Sequence, residues 1–457
     1  MNGAATLAQP LLRYQRDRTL AQVPGLGTGL QVRLDKERRA YVALSPCELV
    51  LYLNQPEHAL HYDLEGRLLK ISSMNLSRRR GLSHRMLVTR KRTTEEGGGI
   101  ERILQPEEAS DAAVAEARRE VTEVLTRLNE GVAAIEFGKP SIREAAETLT
   151  PLLERAARFH VAAARASAQR FNQIYGQVAV LPPDQYNALV LQATEGCAHG
   201  GCLFCELYRG MFHYRKQTVE FDEHVREAVA FHGQGLRMRR SIFLGEANAL
   251  ALPQDTLLEL FKVLNRHFEL PPSNQTTVPA RWWIGSTTRF DGVSSFLDLF
   301  TGKPRTTEEF YELRKRGLRR VYIGLETGSN ELLHWLCKPG TAEQAKHRVR
   351  ALKEAGISVG VIVLLGAGGE AFDAAHRRDT AQVLNDLSLG TSDAIYFSPL
   401  TINPGTEYEK QTRALGIRPL SPPELCEQEQ AIRKAVLFDP QRGRPYIARY
   451  SLETFLY

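Results

Sequence analysis

Three cysteines, Cys197, Cys202 and Cys205, lie close together in the middle of the chain. The apolar residues 188–191 just before them have the composition of a buried strand, which places the cysteines in the loop after its carboxyl end. Open and barrel-shaped α/β sheets carry their reactive groups at such strand ends. The sequence therefore predicts a metal centre or a reaction centre in this loop.

The size and composition of the chain set the broad class. At 457 residues it is longer than one average domain, and its 43% hydrophobic content is sufficient for two or three cores. No apolar run is long enough to span a bilayer, and residues 1–18 lack the apolar segment of a signal peptide, so we expect a cytoplasmic protein without a membrane partner. Cys47, Cys337 and Cys426 are isolated in sequence, which indicates buried free thiols.

Hydrophobic patterning divides the chain into four parts. Residues 1–92 combine short apolar runs with turn signals, which predicts a β-rich accessory module. Residues 93–180 begin with a glycine-rich linker and continue with helical periodicity, so we expect a linker and a helical connector packed on the catalytic domain. Residues 181–410 alternate strands and helices as the core barrel, and residues 411–457 are a C-terminal extension.

The alternating region contains six predicted strands. Parallel strands need crossover connections and bury both faces, so this pattern predicts an α/β fold with a parallel sheet that is curled or closed. The third strand is expected at residues 282–285, with Trp282 and Trp283 facing opposite sides. Residues 445–448 indicate a final strand or an extended arm.

A basic stretch lies between residues 78 and 92. Its seven basic side chains, together with a net charge of +6, are compatible with a phosphate-rich partner such as RNA. No aromatic residues alternate with the arginines to stack on bases, so a solvated strand face is the simpler interpretation.

Two kinds of metal site fit the cysteine loop. A structural zinc ion could bind Cys197, His199, Cys202 and Cys205, as in a zinc-stabilised nucleic-acid-binding protein. Alternatively, the three thiolates hold a four-iron, four-sulfur cluster whose fourth iron stays open for a ligand from outside the protein. Three glycines let the loop wrap closely around a bulky cluster, and Phe204 supplies an apolar wall, so the residues favour iron and sulfur.

The loop is similar to the cluster loop of the radical S-adenosylmethionine (SAM) superfamily, which commonly has the spacing C-x3-C-x2-C with an aromatic residue before the last cysteine. Here the spacing is the variant C-x4-C-x2-C. Further motifs follow in the family's order. Residues 245–246 resemble its Gly-Gly-Glu motif, residues 324–328 resemble the form Gly-Leu-Glu-Ser-Gly, residues 360–366 resemble its adenine-contacting motif, and residues 404–406 resemble a Pro-Gly-Thr step.

This resemblance implies a partial (β/α)6 barrel that binds a [4Fe-4S] cluster and SAM. It implies an oxygen-sensitive enzyme that cleaves SAM reductively to a 5′-deoxyadenosyl radical, which abstracts hydrogen from a substrate. An external one-electron donor of the flavodoxin or ferredoxin type would supply the electron. The substrate is a small molecule or RNA, and the sequence identifies neither.

The resemblance also implies a set of binding residues. The cluster ligands are Cys197, Cys202 and Cys205. A carboxylate at Glu246 suits the amino group of the methionine moiety of SAM. His199, within the loop, could hydrogen-bond a cluster sulfur, ligate the metal or point outward. The cofactor-binding residues are expected to be Phe204, Gly245, Glu246, Glu326, Ile362 and Ser398, with Ser398 contacting adenine or substrate.

Overall fold

The structure is a computed structural model that describes residues 29–92, 99–131, 133–137, 142–209, 211, 214–271, 284–300, 303–451 and 455–457. The predicted linker ran over residues 93–99; residues 93–98 lie outside the described residues, as do Trp282 and Trp283, whereas Gly99 begins a strand. In the described part of the chain, no helix combines the length and the apolar character needed to cross a membrane.

Nine of the described strands form one antiparallel sheet, in the order β8-β7-β6-β5-β4-β3-β2-β1-β9. Side chains along β3 and β4 alternate between buried and more exposed positions, because one face of the sheet packs against helices. The strands are β1 (Gly29–Arg33), β2 (Arg39–Leu44), β3 (Glu48–Asn54), β4 (Glu57–Asp63), β5 (Leu68–Ser72), β6 (Leu76–Arg80), β7 (Met86–Arg92), β8 (Gly99–Gln105) and β9 (Ala133–Phe137). The sheet therefore continues past residue 92, where the sequence predicted the end of a module.

Three helices follow in this part of the chain, α1 (Glu107–Asn129), α2 (Ile142–Arg158) and α3 (Val161–Ile174). The expectation that they pack on the catalytic domain was wrong for α1 and α2, whose apolar faces share a core with the antiparallel sheet. Helix α3 bridges two cores, since Ala164 belongs to this core and Phe171 belongs to the core of the second sheet.

The basic stretch is partly committed to internal partners. Arg78 donates two hydrogen bonds of 2.6 and 2.7 Å to the Glu116 carboxylate. Arg79 donates to the carbonyl oxygen of Leu456, and the buried Arg80 donates to that of Leu68 at 2.9 Å. These three arginines stabilise the fold, so they are neither a solvated face nor available to phosphates.

Seven of the described strands form a parallel sheet, in the order β10-β13-β14-β15-β16-β17-β18. The strands are β10 (Ala188–Gln192), β13 (Ser241–Gly245), β14 (Val293–Phe296), β15 (Leu318–Glu326), β16 (Ser358–Leu365), β17 (Ala394–Pro399) and β18 (Tyr446–Arg449), and a short antiparallel pair is formed by β11 (Thr194–Glu195) and β12 (Tyr214–Arg215). The predicted α/β fold is confirmed, and the predicted final strand is the seventh strand of this sheet.

Helices cross over between the strands of the parallel sheet. They are α4 (Thr218–His232), α5 (Gln254–His267), α6 (Thr307–Lys315), α7 (Asn330–Trp335), α8 (Ala342–Glu354), α9 (Gly369–Asp386), α10 (Glu407–Ala414) and α11 (Pro422–Ala435). The third strand of the described sheet is β14, which the sequence pattern did not predict, and residues 284–285 at the end of the predicted strand form a turn. The two serines at the centre of β14 interrupt the apolar pattern by which a buried strand is recognised. Ser295 is nevertheless fully buried, and it donates a 2.7 Å hydrogen bond to the carbonyl oxygen of Leu244.

One carboxylate links the first strand of the parallel sheet to distant strands. Asp184 precedes β10, and its Oδ1 accepts a 2.7 Å hydrogen bond from the Tyr396 hydroxyl on β17. Its Oδ2 accepts a 2.6 Å hydrogen bond from the Tyr322 hydroxyl on β15, and Arg320 adds an ion pair. Strands that are not neighbours in the sheet thus meet at Asp184, as expected of a curled sheet forming a partial barrel.

The two sheets are joined at the end of α4. Arg67, which follows β4, donates 2.7 Å hydrogen bonds to the carbonyl oxygens of Phe231 and His232. Asp63 pairs with the same guanidinium at 2.6 Å. The last carbonyls of a helix lack partners within the helix, so Arg67 satisfies two of them from the antiparallel sheet.

Candidate active site

The cysteine loop begins directly after β11, the short strand that follows β10, at the carboxyl edge of the parallel sheet. Gly196 and Gly200 have φ values of 68° and 60°, in the left-handed region that glycine adopts at no steric cost. Arg209 donates a 3.1 Å hydrogen bond from Nη2 to the carbonyl oxygen of Cys202. Local backbone geometry and Arg209 together fold the chain into a tight loop at this position.

A segment after α7 holds the loop from the other side. The backbone N–H of Leu203 donates to the carbonyl oxygen of Leu336 at 2.8 Å, and His199 Nε2 lies 3.0 Å from that of Cys337. Leu203 is buried in a small apolar cluster, and Phe204 packs against that cluster. The loop is therefore fixed to a segment more than 130 residues later in the chain.

The three predicted ligands are all free thiols of intermediate exposure. Burial raises the pKa of Cys202 to about 12 and also raises the pKa of Cys205, so both are neutral until a metal binds and displaces the proton. The four candidate zinc ligands, all among the described residues, are Cys197, His199, Cys202 and Cys205. No three of them have ligand atoms that all lie within 4.8 Å of one another. A single zinc ion requires closer ligands than that, so the Cys3His site has no support from this geometry.

A buried ion pair lies beside the loop. Glu326 ends β15 with a φ of 59°, a conformation that is strained for a residue with a side chain. Its Oε1 lies 3.3 Å from Nζ of Lys338. Burial opposes the charge of Lys338, but Glu326 outweighs it and raises the lysine pKa. The Lys338 ammonium also lies 6.0 Å from the centres of the Phe204 and Phe300 rings, so a cation stands next to the cysteine loop.

A second carboxylate, Glu246, is buried at the end of β13. Its Oε1 accepts a 2.8 Å hydrogen bond from Gln192, and its Oε2 accepts a 3.0 Å hydrogen bond from the Tyr208 hydroxyl. Burial raises the pKa of Glu246 to about 7, although both hydrogen bonds act in the opposite direction. The carboxylate is thus close to half ionised at neutral pH.

The other predicted binding residues follow the same edge of the sheet. Gly245 is the last residue of β13 and lies beside Gln192 of β10. Ser398 lies near the end of β17 and is 2% exposed. Ile362 lies further inside its strand, three residues before the end of β16. Glu326 forms an ion pair with Lys338 beside the cysteine loop, and Glu246 accepts a hydrogen bond from Tyr208, which follows the loop in sequence. The role of each residue stays a prediction.

Lys338, Tyr208 and Gln192 were missed by sequence reasoning. Tyr208 follows the last cysteine by three residues, and this proximity was the one signal that could have suggested it. Lys338 lies after a helix and beside an isolated cysteine, so its place next to Glu326 depends on how α7 folds back on the loop.

Comparison with known proteins gives one family and several partial structural matches. Residues 191–377 match the model of the Radical SAM superfamily, whereas a comparison with curated proteins gave no match. Among solved structures, the cobalamin-dependent SAM radical enzyme OxsB with aqua-cobalamin is 14% identical, with a TM-score of 0.34, over 54% of this chain and 30% of OxsB.

Two further structures overlap more of their own length. Coproporphyrinogen III oxidase (HemN) from Escherichia coli is 15% identical, with a TM-score of 0.36, over 58% of this chain and 54% of the oxidase. HydG, a maturase of the [FeFe]-hydrogenase, is 14% identical, with a TM-score of 0.37, over 75% of this chain and 71% of HydG.

The family match carries the assignment, since the structural matches are remote. It begins on the first strand of the parallel sheet and includes the cysteine loop, Glu246, Glu326 and Lys338. Proteins of this superfamily use a [4Fe-4S] cluster and SAM. The chain thus contains, at residues 191–377, a region that matches the Radical SAM superfamily.

Proposed function

We propose that this protein binds a [4Fe-4S] cluster through Cys197, Cys202 and Cys205 and cleaves SAM reductively to start radical chemistry on a substrate. One observation carries this proposal: three free thiols lie in one loop of the radical SAM domain, beside the buried pair of Glu326 and Lys338. A lysine and a glutamate next to the metal ligands can hold an amino acid moiety, which carries both charges.

The donor set fits the cluster. Three thiolates leave one iron of a cubane without a protein ligand, which is the position that an amino acid chelate can occupy. When bound and reduced, the cluster supplies the electron that splits SAM into methionine and a 5′-deoxyadenosyl radical. The thiols are partly exposed, so an external electron donor of the flavodoxin or ferredoxin type can approach this loop.

The residues around the loop divide the binding of SAM between them. Lys338 is a buried cation and suits the carboxylate of the methionine moiety. Glu246 suits the amino group, because an ionised carboxylate has lone pairs beyond those that accept from Gln192 and Tyr208. Glu326 orients Lys338 and lies at the ribose or methionine end of the site.

Apolar packing behind the loop keeps water away from the reacting atoms. Leu203 is 3% exposed and packs with Leu336, Leu364 and Tyr408, and Phe204 covers the same cluster. A dry site protects a reactive radical from side reactions and strengthens the contacts of buried charges. The substrate is proposed to be a small molecule, because three of the seven basic side chains that suggested RNA, those of Arg78, Arg79 and Arg80, are held by protein partners.

The test is anaerobic reconstitution followed by analysis of metal and product. Protein loaded with iron and sulfide should hold about four irons per chain and, with dithionite and SAM, should form 5′-deoxyadenosine. Protein that takes up stoichiometric zinc and no iron, or a fully loaded protein that forms no 5′-deoxyadenosine, would contradict the proposal.

A further inference from the structure

Two buried hydroxyl groups lie close to the end of the parallel sheet without a hydrogen-bond partner among the described residues. Tyr450 and Ser398 are each 2% exposed, and neither the phenol oxygen nor the serine Oγ has a partner. A buried hydroxyl without a partner costs about 1–3 kcal/mol. A ligand that supplies the missing hydrogen-bond partner would remove this cost, so such groups are expected at binding sites.

The two hydroxyls belong to the same face of the sheet. Tyr450 directly follows β18, and its N–H continues the ladder by donating to the carbonyl oxygen of Phe397 at 2.9 Å. Phe397 pairs with Arg449, so Ser398 and Tyr450 are the next neighbours in register. Tyr396 lies two residues before Ser398 on this face and reaches Asp184 inside the curled sheet. Both hydroxyls therefore face the interior of the barrel.

Contacts of the Tyr450 ring place it between the amino-terminal end of the barrel, where Asp184 lies, and the carboxyl ends of the strands. Its ring centre lies 6.1 Å from that of Tyr396, whose hydroxyl donates a hydrogen bond to Asp184 at the amino-terminal end of the barrel. Burial raises the pKa of Tyr450, and neighbouring Tyr186 and the charge of Glu326 add to this effect. Tyr450 lies beyond the family match at residues 191–377.

The charged groups nearby already have protein partners. Asp184 is held by Arg320 and two tyrosines, and Glu326 is held by Lys338. Glu246 accepts hydrogen bonds on both of its oxygens. The Tyr450 and Ser398 hydroxyls, by contrast, have no partner among the described residues, and a neutral hydroxyl can donate to and accept from an uncharged polar group.

We propose that Tyr450 and Ser398 bind the substrate through an uncharged polar group, such as a hydroxyl or an amide. This inference rests on the proposed function, because it assumes that the barrel holds a substrate beside SAM. It assigns Ser398 to the substrate, and it gives β18 a role in substrate selection.

The test compares Tyr450→Phe and Ser398→Ala with Tyr446→Phe. Tyr446 is a matched control, since it lies on β18, faces the same side as Tyr450 and is 60% exposed. The probes are three fractions of a small-molecule cell extract: compounds that pass both anion and cation exchangers, compounds retained as anions and compounds retained as cations. Cluster-loaded enzyme with SAM is dialysed against each fraction, and the compounds that it retains are measured by mass spectrometry.

We expect the wild-type enzyme to retain a compound from the uncharged fraction, and this compound to stimulate 5′-deoxyadenosine formation. Tyr450→Phe and Ser398→Ala should each weaken its retention about tenfold, the cost of one lost hydrogen bond, with unchanged SAM affinity and iron content. Tyr446→Phe should behave as the wild type.

Three results would overturn this inference: retention from a charged fraction only, full retention by Tyr450→Phe, or no retention from any fraction by an enzyme that cleaves SAM. Failure of SAM cleavage in every sample would instead refute the proposed function. The dialysis measurement would still decide the role of Tyr450, because it does not depend on turnover.

Discussion

Nζ of Lys338 lies 3.3 Å from Oε1 of Glu326, and their side chains are only 9% and 11% exposed. The pair connects the end of β15 with the turn after α7, and the same turn holds the cysteine loop through Leu336 and Cys337. Removing one member of such a pair leaves an uncompensated buried charge. The ion pair thus couples the shape of the cluster loop to the place where SAM is proposed to bind.

Replacing Lys338 with methionine should weaken SAM binding at least tenfold, because a charge-assisted hydrogen bond to the carboxylate is lost. Lys338→Arg keeps the charge and should recover part of the affinity. Lys346→Met is the control, since Lys346 forms its ion pairs on a surface helix with Glu343 and Asp386. Calorimetric titration of cluster-loaded protein with SAM measures the effect, and unchanged affinity in Lys338→Met would remove Lys338 from the site.

Cys202→Ala should abolish retention of the cluster, since two thiolates cannot hold it in place. Cys337→Ala is the matched control, because Cys337 contacts the same loop through its carbonyl oxygen. Its side chain is exposed, so the sequence prediction of a buried thiol at this position was wrong. Iron and sulfide analysis after anaerobic reconstitution should show full loading in Cys337→Ala and loss in Cys202→Ala. Equal loss in both variants would show that Cys337 also supports the cluster.

Strand ends were the part of the site that the sequence could predict. Glu246 and Glu326 each follow an apolar run, and parallel strands bring such positions to one edge. Lys338 and Tyr450 could not be found this way, because their positions depend on the fold of a turn and on the addition of β18 to the sheet. Neither of these events leaves a periodic signal.

The third strand of the parallel sheet, β14, shows a different limit of prediction from the sequence. Strand β14 reads Val-Ser-Ser-Phe, and two small polar residues at its centre break the apolar pattern that marks a buried strand. Burial of Ser295 is possible because its hydroxyl finds a carbonyl partner in β13. Tertiary hydrogen bonding of this kind is not visible in the local sequence, whereas the more apolar tryptophan-containing segment attracted the prediction.

Arg67→Met should destabilise the protein by about 3–5 kcal/mol, because it leaves Asp63 buried without its partner and two helix carbonyls without a donor. Arg226→Met is the control, since Arg226 is largely exposed and its partner Asp222 keeps ion pairs with Arg266 and His267; its loss should cost under about 1 kcal/mol. Urea unfolding followed by circular dichroism measures both. Equal effects would mean that Arg67 does not join the two sheets.

Glu246→Gln should change how stability depends on pH. The Glu246 pKa is about 7 in the folded protein and 4.5 without its surroundings, so folding favours the protonated form. The wild type should therefore lose stability relative to Glu246→Gln as pH rises from 5.5 to 7.5, by about 2 kcal/mol. Glu259→Gln, which alters an exposed pair with Lys262, is the control and should show a flat difference. Urea unfolding at each pH measures it, and parallel curves for the wild type and Glu246→Gln would show that Glu246 is ionised throughout this range.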